Sequence, residues 1–498
     1  MVRKMKKAPS GLAPVIQVQK QAPNSLYSQV YEGYRKAIVD GSLRAGQRIP
    51  STRVLALELG ISRMPVLNAY AQLLAEGYFE SRVGSGTVVS RSLPERMGRT
   101  KPAAPFKGLN RERRRVSRRS LNLLSAQAFY RSRGLGPFNV SQIAFDGFPL
   151  GVWNSLVTRH ARNSQALSLD YGDPMGLKEL RESIAEYLRT ARGVRCEAQQ
   201  VMIVSGSQQG LEITTRVLLD PGDHLWMEEP GYRFARSVFA YSGCVAVPVR
   251  VDGEGLNVTA GVRKCAGARA VLVTPSHQYP LGVTMTASRR LQLLDWAESN
   301  GSWIIEDDYD SEYRYESPPV TSLQGLDRNA RVVYIGTFSK VLFPSLRIGY
   351  VVVPEDLVER FLAARFALDI GPATFQQAVL ADFIREGHFA RHIRRMRLVY
   401  AERRNALIES LRDQFGSAAE VMGAEAGLHL SVVLDGISDQ EVGARGAREQ
   451  LWLVPLSRFY LGKTVRQGFI MGFGSTSVQE MAAAVHKLRK LVRPRNVA

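Results

Sequence analysis

Cysteine is scarce in this sequence, and long apolar runs are missing from it. Its 498 residues contain only three cysteines, Cys196, Cys244 and Cys265. None belongs to a Cys-x-x-Cys pair or stands beside histidines at metal-ligand spacing, so we expect reduced thiols inside the protein and no metal site. No apolar run approaches the ~20 residues that cross a bilayer, and the basic stretch 1–21 has no apolar core of a signal peptide. We therefore expect a cytoplasmic protein with no membrane partner.

Acidic residues are too few to balance the basic ones, and the imbalance is local. The formal net charge is +20. Residues 1–89 hold 12 Lys+Arg against 5 Asp+Glu, residues 90–135 hold 13 against 2, and the remaining 363 residues hold 41 against 39, which divides the excess as +7, +11 and +2. A basic head on a nearly neutral body indicates that only the head meets a polyanion such as DNA. Charge by itself also fits a solubility tail.

Three short amphipathic helices are predicted in the basic head. The first covers Leu26 to Gly41, with apolar residues at helical spacing and a glycine stop. Ser51 is placed to cap a second helix that ends at Gly60, and Ser62 is placed to cap a third. Two helices joined so closely predict a helix-turn-helix.

A glycine-rich hairpin follows the third helix. Its predicted strands flank the turn Gly84-Ser85-Gly86 and would form the wing of a winged helix. Arg63 lies in the first turn of the third helix, where an arginine either reads a guanine edge or holds a phosphate. Arg53, at the start of the second helix, is better placed for the DNA backbone.

The order and spacing of these residues resemble the GntR family of bacterial regulators. The matching residues are Leu26-Tyr27, Gly41, Leu43, Gly46, Pro50-Ser51, Arg53, Leu59-Gly60-Ile61-Ser62-Arg63, Leu73, Glu76-Gly77 and Gly84-Ser85-Gly86-Thr87. The resemblance implies a DNA-binding domain over residues 23–90, preceded by a basic tail over residues 1–22. The DNA contacts that it implies come from Arg53, Ser62, Arg63, Gly84, Ser85 and Gly86.

Residues 91–135 are predicted to be a basic, flexible linker. They contain Pro94, Pro102 and Pro105, an arginine-rich run from Arg111 to Arg115, and few periodic apolar residues. A flexible tether of ~40 residues spans about 35 Å, which is close to one turn of DNA. Two heads on one dimer would then reach successive half-sites. The linker arginines either add phosphate affinity or merely solvate the tether.

After Gly136 the sequence alternates strand-like apolar runs with amphipathic helical stretches. The predicted strands cover residues 201–204, 223–228, 270–274, 303–306 and 332–335. This alternation predicts an α/β fold with a mostly parallel sheet over residues 136–498, beside the small α+β winged helix. Ligands of such sheets bind at the carboxyl ends of the strands.

Distinctive polar groups follow three of these strands. Ser205-Gly206-Ser207 opens a helix, where backbone N–H groups hold a phosphate, although small polar residues also make ordinary turns. Asp307 opens an acidic run that would also fit an acidic surface or a metal site, and Lys340 follows the next strand. A lysine that forms an imine and an aspartate that keeps a ring nitrogen protonated together fit a pyridine cofactor.

This set resembles the fold-type-I aminotransferases and, in its details, the MocR branch of GntR regulators, which joins that fold to a winged helix. The resemblance covers nearly the whole chain and implies pyridoxal 5'-phosphate as cofactor. It makes Lys340 the Schiff-base lysine, Asp307 the partner of the ring nitrogen and Tyr309 a donor to the phenolic oxygen. The remaining implied contacts are Ser205, Gly206, Ser207, Thr337, Ser339 and Arg347 on the phosphate, Tyr232 stacked on the ring, and Tyr171 on the phosphate of a partner subunit. The last contact implies a homodimer.

One segment departs from the aminotransferase pattern. Where those enzymes usually have Asn-Pro-Thr-Gly, residues 276–282 here include His277 and Gln278, so the asparagine that contacts the ring oxygen is missing. MocR regulators share this change, and we expect Lys340 to be the covalent hook of a sensor with at most residual catalysis. Arg458 is expected either to bind an effector carboxylate or to form a structural salt bridge.

The sequence therefore favours a transcription regulator that binds half-sites of double-stranded DNA and senses an amino compound or pyridoxal phosphate itself. An aminotransferase with an accessory DNA-binding domain is the enzymatic alternative, and turnover with an amino donor and a 2-oxo acid would favour it. A DNA-binding module whose body only dimerises is the third possibility. Absorbance, ligand response and promoter control that are unchanged in Lys340→Ala would favour that one.

Overall fold

The computed structural model describes residues 16–82, 86–92, 117, 136–163, 171–315 and 320–492. The chain divides into two compact units, residues 1–115 and 116–498. The division falls inside the predicted linker 91–135, most of which lies outside the described residues.

Three helices and a hairpin form the first unit. They are α1 (Leu26–Val39), α2 (Thr52–Leu59), α3 (Arg63–Ala75), β1 (Phe79–Arg82) and β2 (Gly86–Val89). The two strands pair antiparallel. Tyr34, Tyr70 and Phe79 hold the unit together as three edge-to-face pairs with ring centroids 5.2–5.5 Å apart. Edge-to-face contacts of this kind fix the angles at which helices and hairpin meet.

The predicted helix ends of the first unit are found, with one difference. Ser51 Oγ accepts a hydrogen bond from the Val54 N–H, and Gly60 ends α2 in the left-handed conformation. Ser62 has the backbone conformation of an N-cap but makes no side-chain capping bond. The third residue of α3 is Pro65, which has no N–H to donate. The Ser62 hydroxyl is therefore not used to cap the helix.

The second unit is built on an eight-stranded sheet with the order β3-β10-β9-β8-β7-β4-β5-β6. Its strands are β3 (Val201–Val204), β4 (His224–Glu229), β5 (Val245–Asp252), β6 (Gly255–Leu256), β7 (Ala270–Val273), β8 (Trp303–Asp308), β9 (Val332–Thr337) and β10 (Gly349–Val352). The central strands β5, β4, β7, β8 and β9 are mutually parallel. Such strands are covered on both faces, which explains their continuous apolar runs.

Helices cover the sheet, and a second, antiparallel sheet completes the unit. The helices are α4 (Leu150–Arg162), α5 (Lys178–Arg192), α6 (Ser207–Leu218), α7 (Arg233–Ser242), α8 (Val258–Cys265), α9 (Ala287–Asn300), α10 (Leu323–Leu326), α11 (Val358–Asp369), α12 (Phe375–Arg385), α13 (His388–Phe415), α14 (Asp439–Arg448) and α15 (Val478–Val492). The small sheet has the order β11-β12-β14-β13, from β11 (Ala419–Met422), β12 (His429–Leu434), β13 (Val454–Pro455) and β14 (Gly468–Gly472). The predicted α/β architecture is confirmed.

Two strands run further than the sequence predicts, which places site residues on the sheet itself. β8 continues through Asp307 and Asp308, and β9 continues to Thr337. Asp307 pairs with Ile335 and Asp308 with Gly336. The apolar runs end at Ile305 and Ile335, but the buried backbone groups beyond them still need ladder hydrogen bonds, so the pairing extends further.

The carboxyl ends of β3, β9, β8, β7 and β4 lie at one edge of the sheet. β10 is antiparallel to both β3 and β9, so β3 points the same way as the parallel strands. The polar groups that follow these strands are thereby collected along a single edge.

Two further features bear on the expectations from composition. The three cysteines are free thiols, of which Cys196 and Cys244 are buried. Within the described ranges, no helix combines the length and the apolar character that crossing a bilayer requires.

Candidate functional site

A cavity of about 450 Å³ opens at the edge where the strands end. Eight of the predicted cofactor contacts line it: Ser207, Tyr232, Asp307, Tyr309, Thr337, Ser339, Lys340 and Arg347. Ser205, Gly206, Tyr171 and Arg458 are not part of this lining. The structure thus gathers residues up to 140 positions apart, from Ser207 to Arg347, around one space large enough for a small cofactor.

One end of the cavity has the features of an anion cradle. Gly206 is the N-cap of α6 and has φ +110, so the positive end of that helix faces this space. A Cβ at Gly206 would lie 3.2 Å from the Arg347 guanidinium, which places arginine and helix terminus side by side. Thr337 Oγ1 and Ser339 Oγ are 3.1 Å apart in the same region. A guanidinium, two hydroxyls and a helix N-terminus together suit a phosphate group.

The acidic run after Glu306 separates into three different environments. Asp308 is paired with Arg192 at 2.7 Å and also accepts from Tyr334. Asp310 accepts from the Leu428 N–H and contacts His277. Asp307 alone, among the described carboxylates, has a buried oxygen without a hydrogen-bond partner. Because residues alternate across a strand, Asp307 and Asp308 point to opposite faces, and only Asp307 faces the cavity.

The environment of Asp307 disfavours its charge. Burial, followed by the neighbouring carboxylates of Asp308, Glu228 and Asp310, raises the pKa of Asp307 to about 7. A buried carboxylate with an unused oxygen calls for a positively charged donor in the cavity. A protonated pyridine nitrogen is such a donor, so this feature fits the cofactor that the sequence predicts.

Lys340 lies across the cavity in contact with the backbone. Its Nζ donates a hydrogen bond of 2.7 Å to the Val140 carbonyl. Val140 lines the cavity together with Asn139, Ser141 and Gln142. These residues follow the predicted linker and were not singled out from the sequence, because nothing local marks them. They reach the site because β14 packs against this segment of the chain.

His277 lies in the segment 276–282, which departs from the aminotransferase pattern, and it contacts several groups. Its Nδ1 lies 3.1 Å from Asp310 Oδ2, and its Nε2 lies 3.3 Å from the Gly423 carbonyl. The Tyr309 hydroxyl donates to the His277 carbonyl and lies 3.1 Å from Nδ1. His277 therefore holds the hydroxyl of Tyr309 at the cavity wall.

His429, on β12, is a cavity residue that the sequence did not reveal. Its Nε2 lies 3.2 Å from the Pro280 carbonyl, which can only accept, so Nε2 carries the proton. Burial, then His277 and Lys340, lower the pKa of His429 well below its usual value, so the ring is neutral. Potential ligand atoms of His277, Asp310 and His429 lie within 4.8 Å of one another. His429 is hydrogen-bonded to the Pro280 carbonyl, and His277 contacts the Gly423 carbonyl and the Tyr309 hydroxyl. The cluster is therefore a hydrogen-bond network.

Gln278 has a structural position. Its side-chain amide donates to the carbonyls of Pro230 and Tyr279 and accepts from the Leu281 N–H. It is 1 % exposed and does not line the cavity. Gln278 thus shapes the turn that replaces Asn-Pro-Thr-Gly, and the turn presents Tyr279 to the cavity.

Arg458 lies beside a different space. It is exposed and lines a second cavity of about 210 Å³, formed largely by α14, β13 and Trp452. Asn139 lines both cavities. The pKa of Arg233 is lowered by burial and then by the positive charges of Arg458 and Arg236. These three arginines are therefore neighbours, and Arg233 directly follows the cavity residue Tyr232. The effector role of Arg458 stays a prediction.

Tyr171 is exposed over 82 % of its surface, away from the cavity of its own chain. Three apolar residues far along the sequence are exposed as well. They are Phe366 in α11, Ile370 directly after α11, and Phe375 at the start of α12. A Cβ at Gly172 would lie 2.5 Å from Thr374, so the Tyr171 segment packs directly against that region. An exposed tyrosine next to exposed apolar residues suits a contact with another subunit.

The predicted DNA contacts occupy the start of α2, the start of α3 and the hairpin. Arg53 and Arg63 are exposed, and Arg63 Nε donates to Thr52 Oγ1 at 3.1 Å. Gly86 opens β2 with φ +81, and a Cβ there would lie 3.4 Å from the Arg48 guanidinium. Gly84 and Ser85 lie outside the described residues.

Two families of known proteins match the two units. Residues 26–89 match the bacterial regulatory proteins of the gntR family, and residues 140–486 match aminotransferase class I and II. The chain is 38% identical to the probable rhizopine catabolism regulatory protein MocR of Rhizobium meliloti, over 95% of this chain and 94% of that protein. It is 31% identical to the pyridoxine biosynthesis transcriptional regulator PdxR of Corynebacterium glutamicum, over 91% of this chain and 93% of that protein.

The second unit also resembles solved aminotransferase structures. The kynurenine aminotransferase of Pyrococcus horikoshii, solved in complex with PMP, superimposes with a TM-score of 0.69 and 26% identity. The match covers 81% of this chain and the whole of that enzyme.

Proposed function

We propose that this chain, which belongs to the MocR branch of the GntR-family transcription regulators, binds pyridoxal phosphate in its second unit. Through this cofactor the second unit senses an amino compound or pyridoxal phosphate itself. The sensed compound thereby controls the binding of the first unit to operator DNA. The observation that carries the proposal is the unpartnered buried oxygen of Asp307 in the cavity that Lys340 lines. We further propose that it acts in the bacterial cytoplasm, where its DNA target lies.

The lining residues divide the work of holding the cofactor. Ser205, Gly206, Ser207, Thr337, Ser339 and Arg347 would hold its phosphate, Tyr232 would stack on its ring, and Tyr309 would donate to its ring oxygen. When bound, pyridoxal phosphate supplies an aldehyde that condenses with a primary amine and a ring that withdraws electrons. Asp307 would accept a hydrogen bond from the ring nitrogen at the oxygen that otherwise has no partner.

Neutral His429 adds no positive charge to the wall of the cavity near Lys340. Its single ring proton is committed to the Pro280 carbonyl, so the ring adds no positive charge beside Nζ. His429 therefore leaves this wall of the cavity without an added positive charge.

The state of Lys340 is connected to the chain that leads to the first unit. Val140, which accepts from Lys340, belongs to the segment 136–142, directly after the predicted linker. The backbone of this segment accepts from the Gly472 N–H at Phe138 and from the Trp452 N–H at Pro137. A Cβ at Gly472 or Gly474 would lie 2.7 Å from the carbonyls of Asn139 or Gln142, so the contact with β14 is tight.

This packing suggests how the signal leaves the cavity. A Lys340 nitrogen that bonds to another group is drawn away from Val140, and the segment 136–142 loses that hydrogen bond. A ligand that favours one arrangement of the segment would favour one arrangement of the linker and DNA-binding units. Equal affinity for both arrangements would produce no response.

We propose that the effector carries an anionic group in addition to its amine. Arg458 and its neighbour Arg233 place positive charge beside Tyr232, at the side of the cavity. A carboxylate or sulfonate would be attracted to that charge. Lys340→Ala is then expected to reduce the response to such amines because it removes the covalent bond. Arg458→Ala is expected to reduce the response because it weakens the affinity for the anionic group.

We also propose that the protein is a homodimer in which Tyr171 reaches the phosphate of the partner subunit. Sedimentation of the full chain should show a dimer, and Tyr171→Phe should weaken cofactor affinity without changing the dimer. A monomer with full cofactor affinity would contradict this arrangement.

The function is tested with the full, cofactor-loaded chain and the DNA upstream of its own gene. Cofactor absorbance and DNA affinity are measured with added pyridoxal phosphate, 4-aminobutyrate and taurine, in wild type, Lys340→Ala and the exposed control Lys463→Ala. We expect at least one of these compounds to change wild-type DNA affinity by about 5- to 150-fold, the usual range of allosteric coupling. Wild type and Lys463→Ala should respond alike, and Lys340→Ala should not.

Other outcomes identify the alternatives. Sustained turnover with an amino donor and a 2-oxo acid, without any change in DNA affinity, would support a working aminotransferase. Absorbance, ligand response and promoter control that Lys340→Ala all leaves unchanged would favour a second unit that serves only for dimerisation.

A further inference from the structure

The outward face of the recognition helix α3 carries no charge after its first residue. The buried face consists of Val66, Ala69, Tyr70 and Leu73. Met64, Asn68 and Ala71 recur at i, i+4 and i+7, all exposed. At 100° per residue these three lie opposite the buried face. No Lys, Arg, Asp or Glu occurs from Met64 to Ala75, so this face is not built to hold phosphates.

Apolar side chains on and beside this face are exposed. Met64 is 61 % exposed, and Leu67, beside it on the helix, is 38 % exposed. Single exposed apolar residues are ordinary on protein surfaces. Here, however, they flank an exposed amide, Asn68, on the helix that a winged helix-turn-helix inserts into the major groove. The small side chain of Ala71, one turn further, lets the helix backbone come close to the bases.

These side chains match the edge of one kind of base pair. In the major groove, thymine presents a 5-methyl group that apolar side chains contact, and adenine presents N7 and N6–H₂, which asparagine pairs with in bidentate fashion. We propose that this face of α3 reads A·T base pairs, with Met64 packed on a thymine methyl and Asn68 paired with an adenine. The inference rests on the proposed DNA-binding function of the first unit.

The spacing of the two residues predicts the spacing of the two bases. Four residues of helix rise ~6 Å, and base pairs along one strand are about 3.4 Å apart. The thymine and the adenine should therefore lie within about two base pairs of each other. Arg63 is separate from this pair, because its Nε is engaged with Thr52 at the start of α2.

The experiment removes one methyl group at a time from the DNA. The binding site is first obtained by selecting random DNA with the full chain, and each thymine of the selected half-site is then replaced by deoxyuracil, which lacks only the 5-methyl group. One thymine should respond with a loss of about fourfold in wild-type affinity, the value of one buried methyl-sized group. Met64→Ala should bind thymine and uracil sites equally.

Matched variants separate this contact from a general effect. Leu74→Ala, an exposed apolar change on the last turn of the same helix, should keep the fourfold response to uracil. For Asn68, replacing the neighbouring adenine by 7-deazaadenine, which lacks N7, should cost wild type about 5- to 100-fold. Asn68→Ala should lose that discrimination. Circular dichroism checks that each variant is folded, as expected for exposed positions.

Each remaining outcome decides against the inference or against the function. Selected half-sites without an A·T pair, or a uracil penalty that Met64→Ala retains, would overturn the inference while leaving DNA binding intact. Failure of the wild-type chain to enrich any DNA sequence would instead contradict the proposed function.

Discussion

Asp307, Asp308 and Asp310 have the same side chain within four residues, yet only one of them is prepared for a cofactor. Asp308 is neutralised by Arg192 on the far face of the sheet, and Asp310 is held by the Leu428 N–H and His277. Asp307 is left with a buried oxygen that has no partner. The chemical role of a carboxylate here is decided by which face of β8 it occupies and by what lies opposite it.

We expect Asp307→Asn to raise the free energy of unfolding of the cofactor-free protein, relative to wild type, more at pH 8 than at pH 4. The pKa of Asp307 is raised to about 7 in the folded chain, whereas an unfolded Asp titrates near 3.9. As pH rises between these values, the unfolded state loses its proton first, so wild type loses stability and the variant does not. The gain at pH 8 should be up to about 4 kcal/mol, at 1.36 kcal/mol per pKa unit.

Urea unfolding of the cofactor-free chain at both pH values measures this difference. The same substitution should weaken pyridoxal phosphate binding, because the partner of the ring nitrogen loses its charge. A variant that is no more stable than wild type at pH 8 would show that Asp307 is not held in an unfavourable charged state.

Gly206→Ala should weaken cofactor binding by disturbing the anion cradle. The glycine has φ +110, and the added Cβ would lie 3.2 Å from the Arg347 guanidinium. The strained backbone should cost at least about 1 kcal/mol of stability, and the displaced guanidinium should reduce pyridoxal phosphate affinity about tenfold or more, as expected for a charge-assisted contact of ~1.5–3 kcal/mol. Absorbance titration measures the affinity.

Gly253→Ala is the matched control for that variant. Gly253 has no atom within 4 Å of its added Cβ and no left-handed backbone, so its affinity should equal that of wild type. Equal losses in both variants would mean that the effect of Gly206→Ala is unspecific.

At the scale of elements, the segment 136–142 behaves as part of the site although it has no regular secondary structure of its own. It lines the cavity, contacts β14 through close glycine packing, and accepts the Lys340 hydrogen bond. Its position after the predicted linker makes it the natural route between cofactor chemistry and the first unit.

Removing the Lys340 amine should loosen this segment. In cofactor-free Lys340→Ala, the Gly472 and Trp452 amides, which donate to Phe138 and Pro137, are expected to exchange hydrogen faster than in wild type by about fivefold, the value of one hydrogen bond of ~1 kcal/mol. Hydrogen exchange with mass spectrometry measures these peptides.

Lys264→Ala provides the control, because Lys264 Nζ also donates to a backbone carbonyl, that of Pro248, at 2.6 Å. Its loss should leave the exchange of Gly472 and Trp452 unchanged. Unaltered exchange in Lys340→Ala would remove the segment from the proposed signalling route.

At the scale of the whole molecule, charge and chemistry are separated along the chain. The first 135 residues hold 25 Lys+Arg against 7 Asp+Glu, by summing 12 with 13 and 5 with 2. The rest of the chain, with 41 against 39, carries the cavity. Such a division lets the first unit and the linker bind a polyanion while the second unit presents little charge to it.

We expect the linker arginines to contribute to DNA affinity through phosphates. Replacing Arg111, Arg113, Arg114 and Arg115 by Gln should make the dependence of log affinity on log salt shallower, by about 0.9 for each arginine that contacts a phosphate. Titrations of random-sequence DNA at several salt concentrations measure the slope. An unchanged slope would show that these arginines only solvate the tether.

The sequence by itself determined the elements and the chemistry of individual residues, because both depend on neighbours along the chain. Ser51 and Gly60 set the two ends of α2, and the alternation of apolar runs set the α/β class. The motifs around Ser205, Asp307 and Lys340 predicted the cofactor. Such signals are local, since hydrogen bonds to a helix end and strand periodicity involve residues only a few positions apart.

Only the tertiary structure decided what those residues meet. The contacts of Lys340 with Val140 and of His429 with Pro280 join positions 200 and 149 residues apart, and no local pattern records them. The same holds for the separation of Asp307 from its acidic neighbours, for the structural position of Gln278, and for the placement of Arg458 beside a second cavity. Burial and partner choice are properties of the packed chain, because they depend on which distant segments exclude water from a side chain.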